Sequence, residues 1–200
     1  MEQVLDPELN YIVSGLERSG TSMLMQILRA GDLPIAFDES RPSDPHNPKG
    51  YYELLGGKII NKLMEGTFPF EKFKGQFIKI TAYGMKFLPR GQYKIIYSER
   101  SIEEILDSME KMAEINDANR DDTKAAFVKL NSMIKGQLQE RSDVDALFVN
   151  YNEILSAPKP TIQHIQEFLQ ISPSTIDRMI KVIDHNLYRQ RRSAKEQVLK

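Results

Sequence analysis

The sequence predicts a three-layer α/β domain with a central, mainly parallel sheet. Apolar runs of strand length alternate with segments of helical spacing, and the first strand leads through a glycine-bounded loop into a helix. Apolar strands that alternate with helices are typical of a parallel sheet covered on both faces. The chain has 200 residues, of which 40% are apolar, so we expect one substantial core and a single domain over residues 1–200.

The first predicted elements are a strand, a loop and a helix. Residues 9–14 form a short apolar run, and the helical pattern TSMLMQILRAG follows the loop and stops at Gly31. Residues 32–50 are rich in Pro, Asp, Ser and Asn, which predicts a long ordered loop. A loop of this length inside a compact domain is either a substrate lid, which we favour, or a surface excursion.

The rest of the chain continues the alternation. We predict a helix over residues 52–64, and then two strands, two helices and a further strand over residues 76–82, 93–98, 102–115, 124–139 and 146–150. Two more helices are predicted from Thr161 onward. This order supports the parallel sheet.

Composition and charge exclude several classes of protein. The 27 basic and 28 acidic side chains give a net charge of -1, so no overall field attracts nucleic acid or an anionic membrane. The absence of cysteine excludes disulfides and thiolate zinc sites. No stretch approaches the roughly 20 apolar residues of a membrane span, and the first ten residues lack a signal-like apolar run. We expect a cytoplasmic protein without a membrane span.

The loop between the first strand and helix, GLERSGTS, has the glycine spacing of a phosphate-binding P-loop. Its glycines allow the backbone to present N–H donors, and the following helix adds its positive N-terminal end. We therefore expect this loop to bind the phosphate end of a nucleotide through Gly15, Arg18, Ser19, Gly20, Thr21 and Ser22.

The loop departs from that of an NTP-hydrolysing protein in one position. Such loops have Lys just before the final Ser or Thr, and here that position is Thr21. The only cation of the loop is Arg18, whose forked guanidinium can bind one phosphate and an adjoining anion. This argues against an ATPase. The alternative is an ordinary glycine-rich turn with Arg18 pointing to water.

Residues 18–22, RSGTS, resemble the 5′-phosphosulfate loop of sulfotransferases that use 3′-phosphoadenosine 5′-phosphosulfate (PAPS). Residues 93–109 are similar to the 3′-phosphate motif of that family, a strand ending in Arg100 followed eight residues later by Ser108. Residues 149–169 resemble a third family segment, in which Tyr151 lies near the adenine. Taken alone, Arg100 could instead pair with a helix glutamate at position 103 or 104, Ser108 could be an exposed helical serine, and Tyr151 an ordinary core tyrosine.

The resemblance implies a P-loop, sulfotransferase-like fold and transfer of a sulfuryl group from PAPS to a hydroxyl or amine. The other product is adenosine 3′,5′-bisphosphate (PAP), no metal is needed, and the acceptor is a small molecule, glycan or lipid. A P-loop kinase of small metabolites and a non-catalytic, nucleotide-binding member of the fold remain alternatives.

The resemblance also assigns catalytic roles. Arg18 is expected to stabilise charge on the leaving group, helped by Lys79, which resembles a family lysine that precedes the catalytic base. Cytosolic members place a histidine shortly after that lysine, and this chain has none there. Other branches use a glutamate after the first helix, so we predict Glu39 as the base, with three other candidates: Asp38, Glu53 and His46.

Two further segments have a less defined role. The run NPKGYYE at residues 47–53 looks like one that follows the phosphate loop in bacterial sulfotransferase-like proteins. Arg189, Arg191 and Arg192 fall near a region where some family members return basic residues to the 3′-phosphate, although such a run is usually a solvated tail.

Overall fold

A computed structural model describes residues 5–45 and 47–184 of the chain. The candidate base His46 and the basic residues Arg189, Arg191 and Arg192 therefore lie outside the described residues. In the described part, four strands form one all-parallel sheet in the order β2-β1-β3-β4. The strands are β1 (Asn10–Gly15), β2 (Phe77–Lys79), β3 (Tyr93–Glu99) and β4 (Val144–Asn150).

Helices connect the strands and cover the sheet. In chain order they are α1 (Thr21–Ala30), α2 (Ile59–Met64), α3 (Ala82–Met85), α4 (Ile102–Ala113), α5 (Arg120–Glu140), α6 (Tyr151–Ser156), α7 (Pro158–Leu169) and α8 (Ile176–Lys181). Short 3-10 turns lie at Leu55–Gly57, Phe70–Lys72 and Pro173–Thr175. Among the described helices, none has the length and apolar character needed to cross a bilayer.

The core has two parts, one on each face of the sheet. Tyr11 and Val13 of β1 face the layer of α1, α6, α7 and α8, and Ile12 between them faces the layer of α2, α3, α4 and α5. Because side chains alternate along a strand, the apolar run from Tyr11 to Val13 buries side chains on both faces of the sheet. The predicted three-layer α/β fold is confirmed.

Two predicted elements, the helix over residues 52–64 and the strand over residues 76–82, are shorter in the structure than predicted. The predicted helix over residues 52–64 begins only at Ile59, because Tyr52, Leu55, Gly56 and Gly57 all have positive φ, which an α-helix cannot contain. The predicted strand over residues 76–82 pairs only from Phe77 to Lys79, and α3 begins at Ala82.

Two helices differ from prediction because polar contacts, rather than apolar spacing, hold them. The helix predicted over residues 124–139 begins at Arg120, whose guanidinium bonds Glu103, Asp107 and Glu110 of α4 at 2.9, 2.7 and 2.6 Å. Helix α6 was not predicted at all. The Asn150 side chain accepts from the backbone N–H groups of its first turn and caps it.

The ends of all four strands lie at one edge of the sheet and carry the polar residues of interest. Gly15 ends β1 and Lys79 ends β2, whereas Arg100 and Tyr151 follow β3 and β4 directly. Since parallel strands all point the same way, their carboxyl ends meet at one edge, where ligands of open α/β sheets bind. The fold thus brings residues 15, 79, 100 and 151 to one place.

Candidate active site

The loop after β1 has the conformation of an anion-binding turn. Gly15, Arg18 and Gly20 have φ of 149°, 64° and 100°. A Cβ atom on Gly20 would lie 2.3 Å from the ring of Tyr151, so this position requires glycine. Helix α1 begins at Thr21 without an acidic residue in its first turn or a side-chain cap. A glycine turn of this conformation, followed by the positive end of a helix, is typical of sites that bind anions.

Strand β3 and the residue after it hold this loop from the side. The Ser98 hydroxyl donates to the Ser19 carbonyl at 2.7 Å, and Arg100 Nη1 donates to the Arg18 carbonyl at 2.9 Å. Within the described structure, the buried Ser19 Oγ has no hydrogen-bond partner. Ser19 is 0% exposed and does not line the cavity at this loop, and its hydroxyl lies beside Gly15, so the side chain packs within the loop.

The second group of predicted residues adjoins the loop. Arg18 Nε donates to Ser108 Oγ at 3.0 Å, and burial lowers the pKa of the Arg18 guanidinium. Arg100 is buried, pairs with Glu104 at 3.0 Å and lies 4.6 Å from the centre of the Tyr151 ring. Ser108 is also buried, at 8% exposure. Arg100 therefore makes the helix ion pair that we considered as an alternative and still lies beside the loop.

A buried ion pair lies at the end of β2. Lys79 is 5% exposed and its Nζ lies 2.9 Å from Glu53 Oε1. The same Nζ donates to Ser22 Oγ at 3.2 Å and to the Tyr51 carbonyl. Burial lowers the pKa of the Lys79 ammonium below its ordinary value, while the Glu53 charge opposes that shift. Lys79 thus links the phosphate loop to residues 51 and 53.

Residues 47–53 pack against the phosphate loop, a role that the sequence left undefined. Asn47 Nδ2 donates to Ser22 Oγ at 3.1 Å, and that hydroxyl donates to the Tyr51 carbonyl at 3.3 Å. Arg41 stacks over the Tyr51 ring, 3.5 Å from its centre, and donates to Glu53 Oε2 at 3.0 Å. The long predicted loop therefore ends in a segment fixed to the site. The run NPKGYYE was the only signal for this in the sequence.

The three candidate bases that the structure describes lie in different environments. Glu39 is exposed and does not line the cavity at the loop. Asp38 accepts hydrogen bonds from the backbone N–H groups of Ser40 and Leu55 at 2.9 and 2.6 Å, so it shapes the loop itself. Glu53 lines the cavity, and its side chain is 11% exposed.

One cavity of about 290 Å³ connects these residues. Most of the predicted site residues line it, namely Arg18, Gly20, Thr21, Ser22, Lys79, Arg100, Ser108 and Tyr151. Gly15 and Ser19 lie in the loop beneath it. The lining residues that the sequence does not assign to the site include Arg41, Tyr51 and Lys111. Five cations and three carboxylates line the described cavity, which favours an anionic ligand.

The chain is similar to proteins of known family and structure. Residues 9–200 match a family model described as a sulfotransferase domain. The sulfotransferase domain of the Synechococcus PCC 7002 olefin synthase aligns at 16% identity over 94% of this chain and 84% of that chain, with a TM-score of 0.53. Mouse sulfotransferase SULT7A1 complexed with PAP aligns at 15% identity over 96% and 69%, with a TM-score of 0.54.

Sulfotransferase STF9 from Mycobacterium avium aligns at 12% identity over 88% of this chain and 68% of that chain, with a TM-score of 0.53. A search of curated protein sequences gave no match. At these identities, the solved structures establish a shared fold.

Proposed function

Because the chain belongs to the sulfotransferase domain family, we propose that it transfers a sulfuryl group from PAPS to a hydroxyl or amine, with PAP as the second product. The family match defines the class of transferase. The choice of donor and the roles of individual residues are our proposal, and they depend on the cavity at the strand ends.

One observation carries the choice of donor: two anion-binding groups lie side by side in one cavity. The first is the glycine loop with Arg18, and the second is Arg100 with Ser108. They are joined by the 3.0 Å contact between Arg18 and Ser108. A nucleotide with a single phosphate chain requires only the first group, whereas PAPS carries a 5′-phosphosulfate and a separate 3′-phosphate. The mouse structure complexed with PAP shares this fold.

The residues present fit such a donor. Gly15, Arg18 and Gly20 give the loop positive φ, the first turn of α1 carries no acidic residue, and Thr21, Ser22 and five cations line the cavity. We assign the 5′-phosphosulfate to the loop backbone, including that of Ser19, with Thr21 and Ser22. We assign the 3′-phosphate to Arg100 and Ser108, and the adenine side to Tyr151.

The chemistry needs charge stabilisation and removal of one proton. When bound, PAPS supplies an activated sulfuryl group on a bisphosphate leaving group. Arg18 and Lys79 stabilise the negative charge that develops on the bridging oxygen, because cations that are buried, like Lys79, or half-buried, like Arg18, act there through a lower local dielectric than that of water. The two roles, charge stabilisation and proton removal, can both be filled by residues that line the cavity.

We propose Glu53 as the general base in preference to Glu39. Glu53 lines the cavity beside Lys79, whereas Glu39 is exposed and lies outside the lining. A base must come within hydrogen-bond reach of the proton that it removes, and only the first of these positions allows it. Glu53 accepts the proton of the acceptor hydroxyl or amine while the acceptor atom bonds to sulfur and the bond between sulfur and the bridging oxygen breaks, which releases PAP.

The acceptor itself is defined only by class. A small molecule, glycan or lipid with a free hydroxyl or amine fits the proposed reaction. This part of the proposal is based on the sequence. The same is true of the proposed cytoplasmic location and of the proposed absence of a nucleic-acid partner.

Isothermal titration with PAP and with ATP–Mg²⁺ tests the proposal. We expect PAP to bind more tightly, and Arg100→Ala to lose at least about tenfold in PAP affinity, since hydrogen bonds to charged groups contribute about 1.5–3 kcal/mol. Arg90→Ala is a matched control, because that side chain is 79% exposed at the opposite end of β3. Equal affinity for the two nucleotides, or no loss in Arg100→Ala, contradicts the assignment.

Two outcomes would favour the other candidate functions. Tighter binding of ATP–Mg²⁺ indicates a P-loop kinase. PAP binding without transfer from PAPS to a panel of hydroxyl and amine acceptors indicates a non-catalytic member of the fold.

A further inference from the structure

We propose that Glu104 is a positioning residue for the 3′-phosphate of the donor and acts by orienting Arg100. This inference rests on the proposed function, because it concerns how the PAPS site is held. Glu104 does not line the cavity, so its effect on a ligand must pass through another side chain.

The burial of Glu104 is the first argument. Its side chain has 0% exposure, in the second half of the first turn of α4. A carboxylate without solvent is costly unless it is paired and hydrogen-bonded. Its Oε2 accepts from Arg100 Nε at 3.0 Å. The acid is therefore stable at this position because Arg100 is there.

The second argument is the way in which the guanidinium is held. Glu104 bonds Nε, the Arg18 carbonyl accepts from Nη1 at 2.9 Å, and the Tyr151 ring lies 4.6 Å from the guanidinium carbon. Two in-plane bonds and one stacked ring fix both the position and the plane of the group. Because a planar fork binds a phosphate well in only a few orientations, this restraint favours binding.

The third argument concerns the sign of the electrostatic effect. A negative charge beside Arg100 cancels part of its field and, on charge alone, weakens the attraction for a phosphate. Orientation acts in the opposite direction, since a guanidinium fixed in advance pays less entropy on binding. Removing the charge of Glu104 therefore distinguishes the two effects. If the phosphate binds more tightly after this change, the electrostatic field of Glu104 is the larger effect. If it binds more weakly, the orientation of Arg100 is the larger effect.

The test compares PAP with adenosine 5′-monophosphate, which lacks the 3′-phosphate, by titration on the full chain. For Glu104→Gln we expect the preference for PAP to fall about tenfold, with affinity for the monophosphate changed by less than about twofold, because the ion-paired bond to Nε is replaced by a weaker one to a neutral acceptor. We also expect the KM for PAPS to rise while kcat changes little. A merely structural role would lower both affinities together.

Glu103→Gln is the matched control. It makes the same change one residue earlier on α4, where the carboxylate bonds Arg120 and Lys124 of α5 instead of Arg100. We expect its PAP preference to equal that of the wild type.

Glu104→Asp keeps the proposal testable if Glu104→Gln does not fold. The shorter side chain keeps the charge but withdraws it from Nε, so we expect the PAP preference to fall about threefold. An unchanged or increased preference in either variant overturns the inference about Glu104. A wild-type protein that does not prefer PAP to the monophosphate instead contradicts the proposed function.

Discussion

The Nζ of Lys79 lies 2.9 Å from Oε1 of Glu53, and only 4% and 11% of the two side chains are exposed. Buried ion pairs contribute little to stability, because the loss of hydration offsets the attraction between the charges. A pair of this kind at the edge of a cavity is better explained by chemistry. Lys79 also contacts Ser22 of the phosphate loop, so the pair lies where donor and acceptor would meet.

Replacing Glu53 tests its role as the base. In Glu53→Gln we expect kcat for transfer to fall by about 10²–10⁴-fold, the usual contribution of a positioned general base, with PAP affinity changed by less than about threefold. Glu39→Gln makes the same change at an exposed position, and we expect full activity. Transfer assays with PAPS, beside thermal unfolding of each variant, make the comparison. Full activity in Glu53→Gln together with a loss in Glu39→Gln would reverse the assignment.

The pH dependence of transfer reports on Lys79. Burial lowers the pKa of its ammonium from the ordinary value of 10.5, so the neutral form appears at a lower pH than in a free lysine. Because we propose that the charged form stabilises the leaving group, activity should decrease as pH rises, with an alkaline limb below pH 10.5.

The matched variant for this limb is Lys79→Arg, since arginine keeps its charge throughout the range. We expect lower activity at neutral pH, because the shape of the side chain differs, and no alkaline limb of this origin. The same limb in both proteins would show that another group titrates.

Removing the Ser108 hydroxyl should weaken the donor site. In Ser108→Ala we expect the KM for PAPS to rise about fivefold to tenfold, since a hydrogen bond of this kind contributes about 1 kcal/mol and Arg18 Nε loses its partner. Ser132→Ala, an exposed serine on α5, is the control and should leave KM unchanged. Initial rates at varied PAPS concentration measure both, and equal KM values in the three proteins would exclude Ser108 from the site.

A methyl group at Gly20 should destabilise the fold as well as the site. The added Cβ would meet the Tyr151 ring at 2.3 Å on a backbone with φ of 100°, so we expect Gly20→Ala to lower the free energy of unfolding by about 3 kcal/mol. Urea denaturation followed by circular dichroism measures it.

Gly136→Ala is the control for that experiment. Gly136 lies within α5, and no other atom lies within 4 Å of its added Cβ. We expect a gain of about 0.5–1 kcal/mol, because alanine is the better helix residue. Equal stability changes in the two variants would contradict the contact between Gly20 and Tyr151.

Much of the fold could be predicted because its determinants are local. The buried strands are short apolar runs, and the loop after β1 carries glycine at two positions with positive φ. These features depend on neighbouring residues alone. The start of α5 could not be predicted in the same way, because Arg120 is held by carboxylates of α4 that are 10 to 17 residues away.

The site residues that belong to a sequence motif could be predicted. The site residues that a long loop brings back to the cavity could be predicted less well. Arg18, Arg100 and Ser108 belong to motifs of fixed spacing, and the structure places them together. The choice between Glu39 and Glu53 depends on how residues 32–50 fold. Asn47 reaches Ser22 across 25 positions of the chain, a contact that no spacing rule contains.

The sheet sets the spacing between the groups that we assign to chemistry. Strand β1 pairs with β2 through Val13 and Lys79 and with β3 through Gly15 and Ser98. A slip of one position would move a strand end by about 3.3 Å and turn its side chains to the opposite face. Hydrogen-bonded backbone would therefore keep the sulfur, base and bisphosphate of the proposed reaction in alignment even where the surface loops change.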